Sequence, residues 1–324
     1  MIDADQRDTD AGQGAASSLV EDLPRDHIRH PAAMECLARR LERSGGFRVL
    51  RRLDLPLTPL PERLEGRLAL LVDVETTGLD PRIDEVIQFA ALPFQYDRDG
   101  RILAVHDALD RLRDPGRPIP AEVTRLTGID DDMVRGSVFD AAAVEALVSR
   151  CALLIAHNAG FDRTFVEDLV PVTAEMPWAC SMSDVPWRDE GATTLRLDAL
   201  AAQAGFFFDG HRALNDCLAT VELLRRPLPR SGRLAMAELL RNARRETVRV
   251  TASGAPFARK DLLKNRGYRW RESADGEGPK AWTAEIPAEA LDAELRFLRE
   301  EVYGAHVEPP VSRITAYSRY SART

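Results

Sequence analysis

From Arg67 onward the chain alternates between unbroken apolar runs and amphipathic stretches, and this alternation predicts most of a fold. Leu68–Val74 is apolar at every position except Asp73, the pattern of a strand buried on both faces. Val86–Tyr96 and Ile102–Leu109 predict two more strands, joined across Arg98-Asp99-Gly100, residues that favour a hairpin turn. Past the proline-rich loop Asp114–Pro120, helical spacing near 121–127 and 139–149 gives way to a second buried strand at Ala152–Ala156. A helix near 162–169, a short strand near 178–182, and helices near 194–204 and 212–225 complete the series. This order predicts an α/β fold, a mixed sheet with helices packed on it.

Both flanks read differently. Met1 to about Glu21 is polar and rich in small residues, the composition of a disordered tail. Ala33, Leu37 and Leu41 give Pro31–Arg43 an apolar helix face, stopped by Ser44-Gly45-Gly46. Phe47–Leu53 predicts a short strand before the proline-studded Leu55–Pro61. On the far side, Pro227–Gly232 breaks the last helix of the series. Beyond a connecting helix (234–245), strands at Val248–Ala252, Gly267–Arg271 and Ala281–Ile286 alternate with helices near 258–265 and 288–302. Ile314–Tyr320 predicts a last strand. The expected divisions are an extension (1–66), a main domain (67–226), a linker (227–247) and a small α+β domain (248–324).

Composition narrows the class. The 324 residues are 44% hydrophobic and 30% charged, a globular balance. The apolar runs fall far short of the roughly 20 residues of a membrane-spanning helix, so no membrane association is expected. Met1–Asp10 carries four aspartates where a secretory signal would have an apolar core. Cys36, Cys151, Cys180 and Cys217 form no CxxC pair, which argues against a disulfide framework and for a cytoplasmic setting. The net charge of −8 is unevenly spread. Residues 228–324 hold 18 basic and 13 acidic side chains, against 26 and 39 in residues 1–227, so two units with different work are expected.

Three short clusters carry candidate chemistry. Asp73 and Glu75 close the first buried strand, and strand alternation puts both on one face. Paired carboxylates ending an apolar strand are costly unless a cation holds them, and Mg²⁺ or Mn²⁺ prefers such oxygens; taken alone, the pair also reads as the start of a solvated loop. Thr76-Thr77-Gly78-Leu79 follows as a small-residue turn. The second cluster, His157 to Asp162, again follows a buried strand and opens a helix, with Asn158 also readable as an N-cap. The third, His211 to Asp216, begins the last helix of the main domain; alone, its histidine is equally readable as structural.

In this order, Asp73/Glu75, Asn158-Ala-Gly-Phe161-Asp162 and His211-x-Ala-x-x-Asp216 resemble the three-motif signature of the DEDD exonucleases, in their histidine-bearing DEDDh branch. The likeness is nearest to the proofreading subunit of bacterial replicative polymerase and its stand-alone relatives, and it spans about 67–226. It implies an RNase H-like fold and a 3′–5′ exonuclease with two divalent cations, Mg²⁺ or Mn²⁺. Asp73, Glu75, Asp162 and Asp216 would be the metal ligands and His211 the general base. Thr76, Thr77, Leu79, Asn158 and Phe161 would meet the terminal nucleotide, although Phe161 also suits core packing. The substrate would be a single-stranded or frayed 3′ end, DNA ahead of RNA, with a DNA polymerase or repair complex as a candidate partner. An exoribonuclease of the RNase T or oligoribonuclease kind and a non-catalytic docking protein are the rival readings. His27, His30, His106 and His306 match no motif, and His157 is expected to pack or hydrogen bond.

The small domain inherits nothing from that likeness. Between Val248 and Arg271 it has seven basic residues and one acidic, with Tyr268 and Trp270 interleaved and Trp282 further on. This is what single-strand binding uses, making Arg266, Arg269 and Trp270 candidate nucleic-acid contacts. The alternative is an aromatic core with a solvated arginine face. Because every motif residue precedes Pro227, residues 1–230 are expected to form an autonomous nuclease.

Overall fold

A computed structural model describes residues 31–271, 280–304 and 307–321. The expected N-terminal tail, His27, His30 and His306 lie outside them. The chain divides into a unit ending at Arg51 and a larger unit from Arg52 onward. In the first, helix α1 (Pro31–Arg43) forms as its apolar spacing predicts, and Arg51 bonds Glu35 and Glu42 at 2.9 and 3.0 Å.

The larger unit is built on a six-stranded mixed sheet. Its strands are β1 (Arg67–Thr76), β2 (Val86–Tyr96), β3 (Ile102–Val105), β4 (Leu109–Leu112), β5 (Leu153–Ala156) and β6 (Trp178–Cys180). The order is β3-β2-β1-β5-β6, with β4 also on β2. β2 is antiparallel to β1, β3 and β4, whereas β5 is parallel to β1 and to β6. The single strand expected over Ile102–Leu109 is thus two, both paired with the long β2. β2 is buried at all 11 positions because strands flank it and helices cover the sheet.

Strand parity sorts β1 between two cores. Ala69 and Leu71 face α6 (Leu197–Gln203), α7 (Ala213–Leu224) and α8 (Ala235–Ala243). Leu70, Val72 and Val74 face α4 (Ala141–Val148) and α5 (Ala159–Leu169), which follow the shorter helices α2 (Ala121–Thr127) and α3 (Asp131–Val134). Asp73 and Glu75 share the parity of Leu71, so they emerge on the side where α7 packs.

A second sheet follows, with its own core. Its strands β7 (Thr247–Ala252), β8 (Arg269–Arg271), β9 (Ala281–Pro287) and β10 (Val311–Ile314) run in the order β8-β9-β7-β10, all antiparallel. Helices α9 (Lys260–Asn265) and α10 (Leu291–Phe297) complete it, around Val250, Leu263, Tyr268 and Leu298. The strand expected at Ile314–Tyr320 is displaced. It ends at Ile314, and residues 315–321 turn back onto the first sheet, where the Trp178 N–H donates to the Ala316 carbonyl at 2.8 Å. Among the described residues no helix is long and apolar enough to cross a membrane.

Candidate active site

Three elements converge at the end of β1. Asp73 and Glu75 leave the strand where its register against β2 slips by one residue, between Glu75 and Thr76, a bulge that re-aims the chain. Asp162 lies in the first turn of α5, and its Oδ1 accepts the Val74 N–H at 3.2 Å. Asp216 lies in the first turn of α7, and its Oδ2 accepts the Arg212 N–H at 3.1 Å. One carboxylate oxygen from each of Asp73, Glu75 and Asp216 lies within 4.8 Å of the other two.

This crowding has an electrostatic cost. Burial, then Asp162, Asp216 and Glu75, push the Asp73 carboxyl well above its ordinary range. Burial and Asp216 push Glu75 up to about 8 against the pull of Arg212, and burial pushes Asp216 to about 6. Asp162 is also raised by burial, with the Val74 N–H working against it. Among the described residues none of the four forms a salt bridge. Clustered hard oxygens whose mutual repulsion Arg212 and the backbone N–H groups only partly offset are the donor set a divalent cation fits.

His211 stands beside this cluster on a left-handed backbone, φ +60°. Asn158 does the same before α5, at φ +72°. Such conformations are unfavourable for residues with a Cβ and persist where surroundings over-determine them. Asn158 gives α5 no side-chain cap, so the capping alternative is not realised; the Ala159 N–H instead meets the Cys180 Sγ at 3.3 Å. The His211 side chain is exposed, free to meet a substrate. His157 is instead fixed between the Ser181 hydroxyl and the Leu195 carbonyl and kept neutral by burial, a structural role. His106 is likewise buried, against Gln95 and Thr58.

The turn after Glu75 is tied down by Asp84. Its carboxylate accepts the Thr77 hydroxyl, the Asp80 N–H and Arg117, each at 3.0 Å. The Thr76 hydroxyl donates to the Gly78 carbonyl at 2.5 Å. Both threonines are buried with their hydroxyls engaged inside the turn, so what they can offer a ligand is backbone. Leu79, by contrast, is 83% exposed at the turn's tip. Phe161 packs against Phe165, ring centroids 5.1 Å apart, which favours its core reading.

Two supporting residues are absent from the sequence reading. Gln88 sits opposite Glu75 on β2, and its Oε1 accepts the Ala213 N–H at 3.2 Å, seating α7 against the strand pair. A glutamine early in a mostly apolar strand, one of two there with Gln95, was its signal. The other is Arg212, which opposes the raised pKa of Glu75.

In the small domain, Trp270 is 55% exposed while Tyr268 is fully buried and Trp282 nearly so. Arg269 and Arg271 flank Trp270 and are exposed as well. Arg266 is exposed too, but its guanidinium is tied to the small domain's core. Its Nε contacts both oxygens of the buried Glu294 at 3.0 and 2.9 Å, and its guanidinium lies 3.9 Å from the Phe297 ring centre. A buried carboxylate needs that cation, so Arg266 has a structural task whether or not it also meets a phosphate.

An exonuclease family model of the RNase T type matches residues 70–224. Residues 70–224 are a DEDD-family exonuclease domain. The chain is 27% identical over 214 residues to the PolC-type DNA polymerase III of Thermotoga petrophila, covering 62% of this chain and 15% of that protein. To the PolC-type enzyme of Listeria monocytogenes it is 36% identical over 109 residues, 32% of this chain and 7% of that one. The match thus spans a small part of these polymerases. Among solved structures, exonuclease X in complex with 5′ overhanging duplex DNA is 25% identical with a TM-score of 0.39, over 52% of this chain and 99% of that one.

Proposed function

We propose that this protein is a metal-dependent 3′–5′ exonuclease that releases nucleoside monophosphates from single-stranded or frayed DNA ends. The observation that carries the proposal is the cluster of Asp73, Glu75 and Asp216 carboxylates at the end of β1, with Asp162 of α5 bonded to the adjoining Val74 N–H and His211 exposed at the start of α7. Asp73, Glu75 and Asp216, together with Asp162, would hold divalent metal, Mg²⁺ or Mn²⁺. When bound, these ions supply Lewis acidity toward the anionic phosphodiester and its more highly charged transition state. His211 would take the proton of the attacking water, the general-base role open to an exposed imidazole beside the cluster. Water adds to phosphorus, the bond to the 3′ oxygen breaks, and a nucleoside 5′-monophosphate leaves.

Leu79 at the tip of the turn, the backbone of Thr76 and Thr77, and Asn158 bound the place for the terminal nucleotide. Trp270 with Arg269 offers a single strand a stacking ring and a phosphate contact away from the chemistry. DNA is preferred because the curated relatives are DNA polymerases, which also makes a polymerase or repair complex the candidate partner. A pure docking role is disfavoured, since a scaffold has no physical reason to keep a repulsive carboxylate cluster. Matched 5′-labelled DNA and RNA oligonucleotides with Mg²⁺ or Mn²⁺ test the reading. It expects a ladder shortening from the 3′ end, faster on DNA. Faster RNA degradation would select the exoribonuclease reading, and internal cuts would contradict exonuclease action.

A further inference from the structure

Helix α5 carries Asp162, yet its own sequence holds it weakly. It is 11 residues long, near the length at which an isolated helix is marginal in water. Asn158 supplies no side-chain cap, and Gly160 occupies the first turn, where it is disfavoured. The orientation of Asp162 toward β1 therefore depends on what grips α5 from outside.

That grip centres on Arg163, whose side chain is fully buried. Its Nη1 donates to the Arg319 carbonyl and its Nη2 to the Tyr317 carbonyl, each at 2.7 Å. Its Nε donates to Glu167 at 2.5 Å, and the Ser321 hydroxyl reaches the other oxygen of Glu167 at 2.9 Å. Both carbonyls belong to the segment 315–321 that leaves the second sheet after β10. The Tyr320 hydroxyl donates to Asp184 at 3.0 Å, on a backbone held at φ +71°. A non-glycine residue keeps that conformation only where its surroundings impose it. Arg319 reaches the other way, to the Arg245 carbonyl beyond the end of α8 at 2.6 Å.

We propose that segment 315–321 is a clasp that sets the metal affinity of the nuclease site, with Arg163 as the positioning residue. Successive helix residues point about 100° apart, so Asp162 faces the strand end while Arg163 faces the clasp. Fixing one fixes the other. Loosening the clasp lets α5 turn or slide, and Asp162 then meets the cluster in fewer conformers. The small domain, through β10, is thereby linked to the metal site.

The inference rests on the reading of the four carboxylates as a metal site. Its test is calorimetric titration of Mn²⁺ into full-length wild type, Arg163→Lys and a Tyr320→Phe/Ser321→Ala double variant, with Tm measured alongside. The expected result is Mn²⁺ binding weakened by about 10-fold in the variants, as when partners behind metal ligands are removed, with kcat retained at saturating Mn²⁺. If Arg163→Lys fails to fold, the double variant, which keeps Arg163, decides. A lower Tm with unchanged Mn²⁺ affinity would make the clasp purely structural and overturn the inference. Absence of Mn²⁺ binding to wild type would overturn the metal reading as well.

Discussion

At Glu75, burial and Asp216 favour a proton up to a pH of about 8, whereas its ordinary value is 4.5. The folded chain therefore holds a proton that the unfolded chain has released between those values. Its contribution is neutral below about pH 4.5 and becomes destabilising as pH rises toward 8. In chelator, wild-type stability against urea should fall across that window by an amount on the order of 1–3 kcal/mol. Glu75→Gln should flatten the fall, and an equally steep fall in the variant would assign it elsewhere. His211 makes a separate claim. His211→Ala should lower kcat by about 10²–10⁴-fold with KM little changed, and the acid limb of the pH–rate profile should flatten. An unchanged profile would make His211 structural. The carboxylates and His211 were legible in the sequence because their chemistry shows in short motifs at strand and helix ends. Arg163 was not, because its partners lie about 155 positions later and leave no periodic trace.

Among the elements, the turn after β1 shows how local packing presents a site. A Cβ built on Gly78 would lie 2.4 Å from the Asp84 carboxylate, which three partners hold in place. Gly78→Ala must displace that carboxylate, and overpacking of this kind costs roughly 1–3 kcal/mol. Because the turn carries Leu79, KM for a dinucleotide should rise as well. A rise in neither urea sensitivity nor KM would mean that the turn adjusts freely. The strand itself was readable because a central strand covered on both faces must be apolar throughout. The division between β3 and β4 was not, since only pairing with β2 separates them. The displaced last strand has a similar cause: Thr315–Ser321 is shaped by carbonyls offered to Arg163, not by alternation.

For the whole molecule, the two sheets cannot be separated at the Pro227–Gly232 break without consequence. A chain cut at residue 230 would leave Arg163 buried without the Tyr317 and Arg319 carbonyls, so it should melt below the full-length chain. The contribution of the small domain is better read by substitution. Trp270→Ala should weaken binding of long single-stranded DNA by about 1–3 kcal/mol with only a small loss of Tm, because the residue is 55% exposed and meets Trp282 by a ring edge. Arg266→Ala should instead lower Tm, since it strands the buried Glu294. Fluorescence titrations at low and high salt, paired with melting curves, separate the two effects. Equal losses of stability would return Trp270 to the core.

The central claim is that the carboxylate cluster at the end of β1 is a divalent-metal hydrolytic centre. Its most direct test is mononucleotide release from a 3′-labelled single strand by wild type and by Asp73→Asn, each with saturating Mg²⁺ or with chelator. Wild type should turn over with metal only. Asp73→Asn should give none, while melting no lower than wild type in chelator because a repelling charge has been removed. Metal-independent release, or Asp73→Asn turnover close to wild type, would contradict it.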